Sequence, residues 1–161
     1  MTTRQYNQCV DEHADGLYRF ILKNVREEEA ARDIVQDAFT KMWEKRDNIE
    51  GTKAKSYLFT AGYHTMIDYI RKQQRFFGTD TDLEKQKSSG HGYSDLQEVL
   101  HEALETLNEV QKSVLLLRDY EGYSYKEIGE IVGLNESQVK VYIYRARIAM
   151  KKYIGKIEMV I

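Results

Sequence analysis

No proline occurs in the 161 residues, cysteine and tryptophan each occur once, and neither sign of charge dominates, with 24 basic residues against 26 acidic ones. Without proline, helices here must end on glycine, asparagine or polar runs rather than on the strongest local breaker. The lone Cys9 cannot close an internal disulfide, which suits a reducing compartment. His13, His64, His91 and His101 lack metal-ligand spacing with Cys9 or with one another, so neither a metal nor a cofactor is expected. No apolar run approaches the ~18–20 residues of a membrane span, and no basic-then-apolar leader opens the chain, so a cytoplasmic protein without membrane insertion is expected. A phosphate-cradling glycine loop, an HExxH pair and a nucleophile elbow are all missing. Glu98 and His101 lie one helical turn apart with no further ligands, and a solvent-facing pair is the plainer reading. An enzyme is not expected.

What is present is helical. Hydrophobic residues make up 42% of the chain, β-branched runs are short, and the apolar positions recur at helical spacing, so the fold class is all-α. The segment 77–93 is polar, bears glycine and serine, and is nearly free of apolar residues. It reads as a flexible linker between helical domains at 1–76 and 94–161. Within the first, Glu27–Lys45 presents Ala31, Ile34, Val35, Ala38, Met42 and Trp43 as a buried stripe, with Glu27, Glu28 and Glu29 at the positive end of the helix dipole. A turn around Asp47–Thr52 precedes a helix from about Lys53 to Gln74, whose inner stripe is read as Leu58, Ala61, Thr65 and Tyr69. In the second domain, Leu96–Leu107 and Val110–Asp119 are amphipathic helices.

The near-neutral total hides segregation. From Asp95 to Glu136 ten acids face three basic residues, whereas from Ser137 to Ile161 six basic residues face only Glu158. Lys53, Lys55, Arg71, Lys72 and Arg75 form a second basic stretch relieved only by Asp68. Such patterning makes local positive surfaces on a weakly acidic molecule, although either stretch alone could be a solvated helix face.

The sharpest local signal is at 124–152. Ser124 with Glu127 is a capping box for a short helix Tyr125–Val132, Gly133 follows where a left-handed residue is needed, and Asn135 caps a longer helix from Glu136. Two helices joined by so short a glycine turn form a helix-turn-helix, whose second helix enters the DNA major groove. At 100° per residue, Val139, Tyr142, Ile143, Ala146, Met150 and Tyr153 fall on the core side. Ser137, Lys140, Val141, Tyr144, Arg145, Ile148, Lys151 and Lys152 fall opposite, flanked by Gln138 and Arg147. Amide and cationic donors at 138, 140 and 145 suit base edges, Val141 suits a thymine methyl, and Arg147, Lys151 and Lys152 suit phosphates.

These residues also carry a family resemblance. LNEVQKSVLLLRDYEGYSYKEIGEIVGLNESQVKVYIYRAR (Leu107–Arg147) resembles region 4 of the extracytoplasmic-function sigma factors of the sigma-70 family. ARDIVQDAFTKMWEKR (Ala31–Arg46) resembles region 2.2, and SYLFTAGYHTMIDYIRKQQR (Ser56–Arg75) resembles regions 2.3 to 2.4. The resemblance implies a factor that joins core RNA polymerase through the clamp helices of its largest subunit and its flap region, and recognises both promoter elements. The −35 element would fall to Ser137, Gln138, Lys140, Val141, Tyr144, Arg145 and Arg147. The −10 element would fall to Asn48, Lys53, His64, Asp68, Arg71 and Lys72, and polymerase docking to Asp33, Gln36, Asp37 and Thr40. It further implies an anti-sigma factor as regulator and a monomer when free. A positive track with aromatic surfaces suits strand opening, and Tyr57, Phe59, Tyr63, Tyr69 and Phe76 interleave the basic residues of 53–77; helical aromatics are, however, commonly core, and Trp43 is read as core.

Three departures stand out. The family's usual proline after Leu107 is Asn108, read as a different helix cap; Gln138 replaces a threonine and His64 an asparagine at DNA-reading positions. A repressor or activator using the same C-terminal unit would need neither the Asp33–Gln36–Asp37 surface nor the basic-aromatic helix, and would ordinarily dimerise to read two half-sites. A pure interaction module would leave the Lys140–Arg145 face unexplained.

Overall fold

The computed structural model describes residues 1–77 and 95–160, with side chains for 1–76 and 95–157. Seven α-helices form there: α1 (Thr3–Val25), α2 (Glu28–Glu44), α3 (Ala54–Phe77), α4 (Asp95–Glu105), α5 (Glu109–Leu115), α6 (Tyr125–Val132) and α7 (Glu136–Val160). No strand occurs among the described residues, as the all-α expectation requires. Of the linker expected at 77–93, Phe77 is the last residue of α3, and the rest lies outside the described residues.

Helices α1, α2 and α3 pack pairwise into a bundle. The first opens on a reciprocal capping box of Thr2 and Gln5 and buries Cys9, Leu17, Phe20, Ile21 and Val25 on one stripe. It ends on Arg26 in the left-handed region (φ 58°), whose N–H still reaches the Leu22 carbonyl. Burial in this stripe pushes the Cys9 thiol up to about 11, so it behaves as a small apolar side chain. The α2 stripe is as expected for Ala31, Ile34, Val35, Ala38 and Met42, with Ala30 and Phe39 added.

Two expectations about this bundle fail. Trp43 is not core; it is 37% exposed, with the Arg46 guanidinium 3.8 Å from its ring centroid and Tyr6 edge-on at 4.9 Å. Trp43 follows Met42 by 100° around the helix, and Met42 takes the inward position. The inner stripe of α3 is also rotated from the one expected. Leu58, Phe59, Tyr63, Met66 and Ile67 are buried, whereas Ala61, Thr65 and Tyr69 lie at the margin. The reason is that α3 packs on two neighbours in the bundle and on α6 besides, so its buried face is wider than one periodic row. Phe59 and Tyr63 are therefore core rather than stacking surfaces, while Phe76 is 82% exposed.

Among the remaining helices, Asn108 caps α5 reciprocally with Gln111, which accounts for the missing proline. The helix then widens into a π turn over Leu116–Tyr120 before the chain reverses at Gly122. Helix α7 lies across α4, α5 and α6. The two sets of helices meet: α3 packs on α6 and α1 on α5, and Tyr123 inserts edge-on against Phe59, 5.1 Å between centroids. Lys112 of α5 is buried, with its ammonium 2.9 Å from Glu105, which also faces Arg26 of α1 at 3.7 Å.

Candidate nucleic-acid interface

The helix-turn-helix is held by local hydrogen bonds before any packing is considered. Ser124 Oγ accepts from the Glu127 N–H and Glu127 Oε1 from the Ser124 N–H, both at 3.1 Å. Gly133 takes φ 79°, and its N–H and that of Leu134 both donate to the Gly129 carbonyl, at 2.9 and 3.0 Å. A Cβ at Gly129 would collide with the Leu134 carbonyl oxygen, so the turn is as tight as the backbone allows. Asn135 Oδ1 then accepts from the Gln138 N–H at 2.8 Å, and Gln138 Oε1 accepts from the Asn135 N–H at 3.0 Å.

This second capping box directs α7. Val139, Ile143 and Ala146 are buried, and Tyr142, Met150 and Tyr153 are half-buried against the other helices. Ser137, Gln138, Lys140, Val141, Tyr144, Arg145 and Arg147 all lie exposed on the outer side, Tyr144 at 66% and Val141 at 44%. Ile148 continues the apolar row at 48%. Lys140 is steadied by the Tyr125 ring, 5.5 Å from its ammonium, and the same ring lies 4.4 Å from the Arg118 guanidinium. Arg147 is engaged differently from its neighbours. Its Nη2 and Nε donate to Asp119 at 2.6 and 3.2 Å, and the carboxylate holds the guanidinium charged, above its ordinary range. Asp119 sits in the π turn, so that irregularity presents the carboxylate to α7.

The second group is strung along α3. Asn48 and Lys53 lie exposed in two 3₁₀ turns, Arg46–Asn48 and Gly51–Lys53, that lead into it. His64, Asp68, Arg71 and Lys72 lie exposed farther along. From Lys53 to Lys72 the helical rise amounts to about 28 Å, so these residues make a track and not a single pocket. At its first end a cavity of about 440 Å³ is lined by Asn48, Lys53, Ser56, Tyr57, Thr60 and, from α6, Glu130. At its other end Arg71 donates to Glu109 of α5 at 2.9 Å.

The third group lies on α2. Asp33, Gln36 and Thr40 are exposed, but Asp37 is half-buried and engaged. Lys41 lies 2.9 Å from its carboxylate and Thr65 donates to it at 3.0 Å, which keeps Asp37 below its usual range. Asp33 lines a groove of about 490 Å³ between α2 and α3 with Glu29, Lys41, Asp68 and Lys72. Sequence reasoning missed Arg19, whose partner Glu121 lies 102 residues away, and Arg118 and Tyr125, whose stacking depends on how the π turn is folded against α6. No cluster able to hold a metal occurs among the described residues, and none of their helices is long and apolar enough to cross a membrane.

Comparison with known proteins divides the chain along the same line. Residues 9–76 match the model for sigma-70 region 2, and residues 97–150 match that for sigma-70, region 4. The chain is 31% identical over 151 residues to the RNA polymerase sigma factor SigV of Bacillus subtilis, covering 92% of this chain and 90% of that one. It is 27% identical to the sigma factor YlaC of the same organism, covering 95% and 90%, and 25% identical to its ECF sigma factor SigM, covering 86% and 88%. Among solved structures, the sigma factor RpoE of Bartonella quintana, in complex with the anti-sigma factor NepR, superposes with a TM-score of 0.75 at 23% identity, covering 95% of this chain and 98% of that one. CnrH, in complex with the cytosolic domain of CnrY, gives 0.74 at 23% identity, covering 96% and 90%. With a region 2 bundle, a region 4 helix-turn-helix and relatives matched over nearly their whole length, the chain belongs to the sigma-70 family of RNA polymerase sigma factors, in its extracytoplasmic-function group.

Proposed function

We propose that this sigma factor joins core RNA polymerase in the cytoplasm and directs initiation at promoters read by both domains, without catalysing a reaction itself. The observation that carries this reading is the outer face of α7. Lys140, Val141, Tyr144 and Arg145 are exposed on a helix whose start is locked by the Asn135–Gln138 box, in the geometry a major groove accepts. Residues 94–161 would read the −35 element through that face, with Ser137 at its leading end and Arg147 buttressed by Asp119. Residues 1–76 would read and open the −10 element along Asn48, Lys53, His64, Asp68, Arg71 and Lys72. Polymerase would dock through Asp33, Gln36 and Thr40 on its clamp helices, with Asp37 holding Lys41 and Thr65 in place, and would use its flap region for the C-terminal domain. The similar structure of RpoE, held by the anti-sigma factor NepR, supports a regulator of the same kind here.

The deciding experiment is run-off transcription on genomic templates with purified core polymerase. Initiation at defined sites should require the chain; a polymerase that starts no new transcript when it is added would refute the proposal.

A further inference from the structure

The segment between α2 and α3 carries Asn48 and Lys53, two of the residues assigned above to the −10 element, yet its own hydrogen bonds are short-range. The Asn48 N–H reaches the Lys45 carbonyl at 2.9 Å, that of Ile49 reaches Arg46 at 3.3 Å, and that of Lys53 reaches Glu50 at 2.9 Å. Isolated 3₁₀ turns of three residues do not hold a shape alone, because so few bonds do not offset the entropy of the residues they order. The segment is held from outside. Ile49 anchors it in the core, and two further anchors rest on the opening turn of α1.

The first of these is at Arg46. Its guanidinium lies 3.8 Å from the Trp43 ring centroid, and its Nη1 donates to the Trp43 carbonyl at 2.8 Å. Tyr6 of α1 braces Trp43 edge-on at 4.9 Å, and its hydroxyl donates to the Phe39 carbonyl one turn earlier at 3.1 Å. The second anchor is at Gly51. That residue is not in the left-handed region, so its backbone does not call for glycine; the space does. A Cβ there would lie 2.6 Å from the Gln5 carboxamide carbon and 2.8 Å from its Oε1. The carboxamide is not free to step aside, since Oε1 accepts from the Thr2 N–H at 2.8 Å as half of the α1 capping box. Asn48 stands between the two anchors, two residues after Arg46 and three before Gly51.

We propose that Gln5 and Tyr6 are positioning residues for promoter reading: neither meets DNA, but together they fix where Asn48 stands and so which base the turn accepts. The inference rests on the reading of Asn48 given above. Base-edge contacts tolerate displacements of only about 0.5 Å, whereas overall affinity is dominated by phosphates. A seat that moves therefore changes selectivity before it changes binding as a whole.

The test uses the full chain with core polymerase on a template pool whose −10 positions are randomised within a promoter at which the parent chain initiates. Transcripts are sequenced, and melting temperatures are measured beside them. N48A marks the position that Asn48 reads, as the one where base preference disappears. At that position G51A and Q5A should each weaken the preference about fivefold. The double variant Q5A/G51A should recover most of it, because the alanine methyl enters the room that the carboxamide leaves; an additive loss would overturn the proposal. T2A removes the Thr2 half of the capping box but leaves Gln5 over Gly51, so it should lower the melting temperature and keep the preference. Y6L takes the ring from Trp43 and should weaken the same preference, while Y6F keeps the ring and should retain most of it; a Y6L chain that reads as the parent removes Tyr6 from the proposal. Loss of initiation on every template alike, with the preference retained, is what destabilisation alone would give, and it overturns the positioning role. If N48A leaves every preference intact, the reading of Asn48 falls and the positioning with it. If N48A abolishes a preference that Q5A, G51A and Y6L leave unchanged, the positioning alone falls.

Discussion

At Gln138 one side chain has two faces. Its carboxamide oxygen is engaged by the Asn135 N–H at 3.0 Å, while the residue is exposed at the leading end of the face that would enter DNA. The amide NH₂ is then the part available to a base, and the capping box fixes where it points. Replacing the family's threonine by glutamine therefore changes the helix start and the reading surface together. Gln138→Glu keeps the reciprocal cap, so thermal stability should stay within about 0.5 kcal/mol of the parent. DNA binding should fall at least several-fold, because a carboxylate would replace a donor beside phosphates. Differential scanning calorimetry and duplex titration separate the two; loss of stability with unchanged binding would make Gln138 a cap alone. Arg147 shows the complementary case, an expected phosphate contact whose guanidinium is already oriented by Asp119 at 2.6 Å.

At the scale of elements, α7 carries a periodic row and α3 carries contacts on several sides. The row Lys140, Arg145, Lys151 and Lys152 lies exposed along α7. If about four phosphates are neutralised there, the logarithm of affinity should fall with the logarithm of salt at a slope near about −4. K151Q/K152Q should flatten that slope by about 2 without changing sequence preference, and an unchanged slope would remove the C-terminal half of the row from the interface. Helix α3 was harder to read in advance, because a single periodic stripe describes a helix with one packed face. Its inner side is Leu58, Phe59, Tyr63, Met66 and Ile67, shared among α1, α2 and α6. Aromatics that looked available for stacking are therefore divided, Phe59 and Tyr63 to the core and Phe76 to solvent.

For the whole molecule, His101 at the domain contact makes closure pH-dependent, and His13 adds a pH dependence within the N-terminal helices. His101 of α4 faces Lys23 and Arg26 of α1, Lys112 of α5 and Glu105 of its own helix. Burial first, and then the three cations, hold its imidazole below the ordinary histidine range. His13 of α1 is lowered likewise by burial and by Lys55, with Glu12 opposing. A depressed pKa means that the open or unfolded chain takes the proton more readily. Neutral His101 thus favours the closed form above about pH 6.5, and neutral His13 the packed N-terminal helices, and each contribution is lost as the pH falls through the lowered value. Glu127, held low by Lys55, adds a loss only in the more acid carboxylate range. Acidification from neutral pH towards pH 5.5 should lower the melting temperature and expand the chain, and His101→Gln should flatten the response. A melting temperature constant over that window would contradict this account.

The all-α class, the helix-turn-helix with its caps at Ser124 and Asn135 and its Gly133 turn, and the outward row of α7 were determined by the sequence itself. Each depends on spacing within a few residues, where capping and 100° periodicity act without help from the rest of the chain. Asn108 was legible for the same reason, since its partner Gln111 is three residues away. The positions that needed tertiary structure are those whose partners lie far along the chain. Trp43 yielded the core to Met42 because Arg46 and Tyr6 cover it outside. Arg147 found Asp119 across 28 residues, and Arg71 found Glu109 across 38. The acidic run before the helix-turn-helix was visible as composition, but only the packing of α6 on α3 decided what it faces. Charge pattern specifies how much of each sign an element carries; which opposite charge it meets depends on contacts that close long loops, and no local rule encodes those.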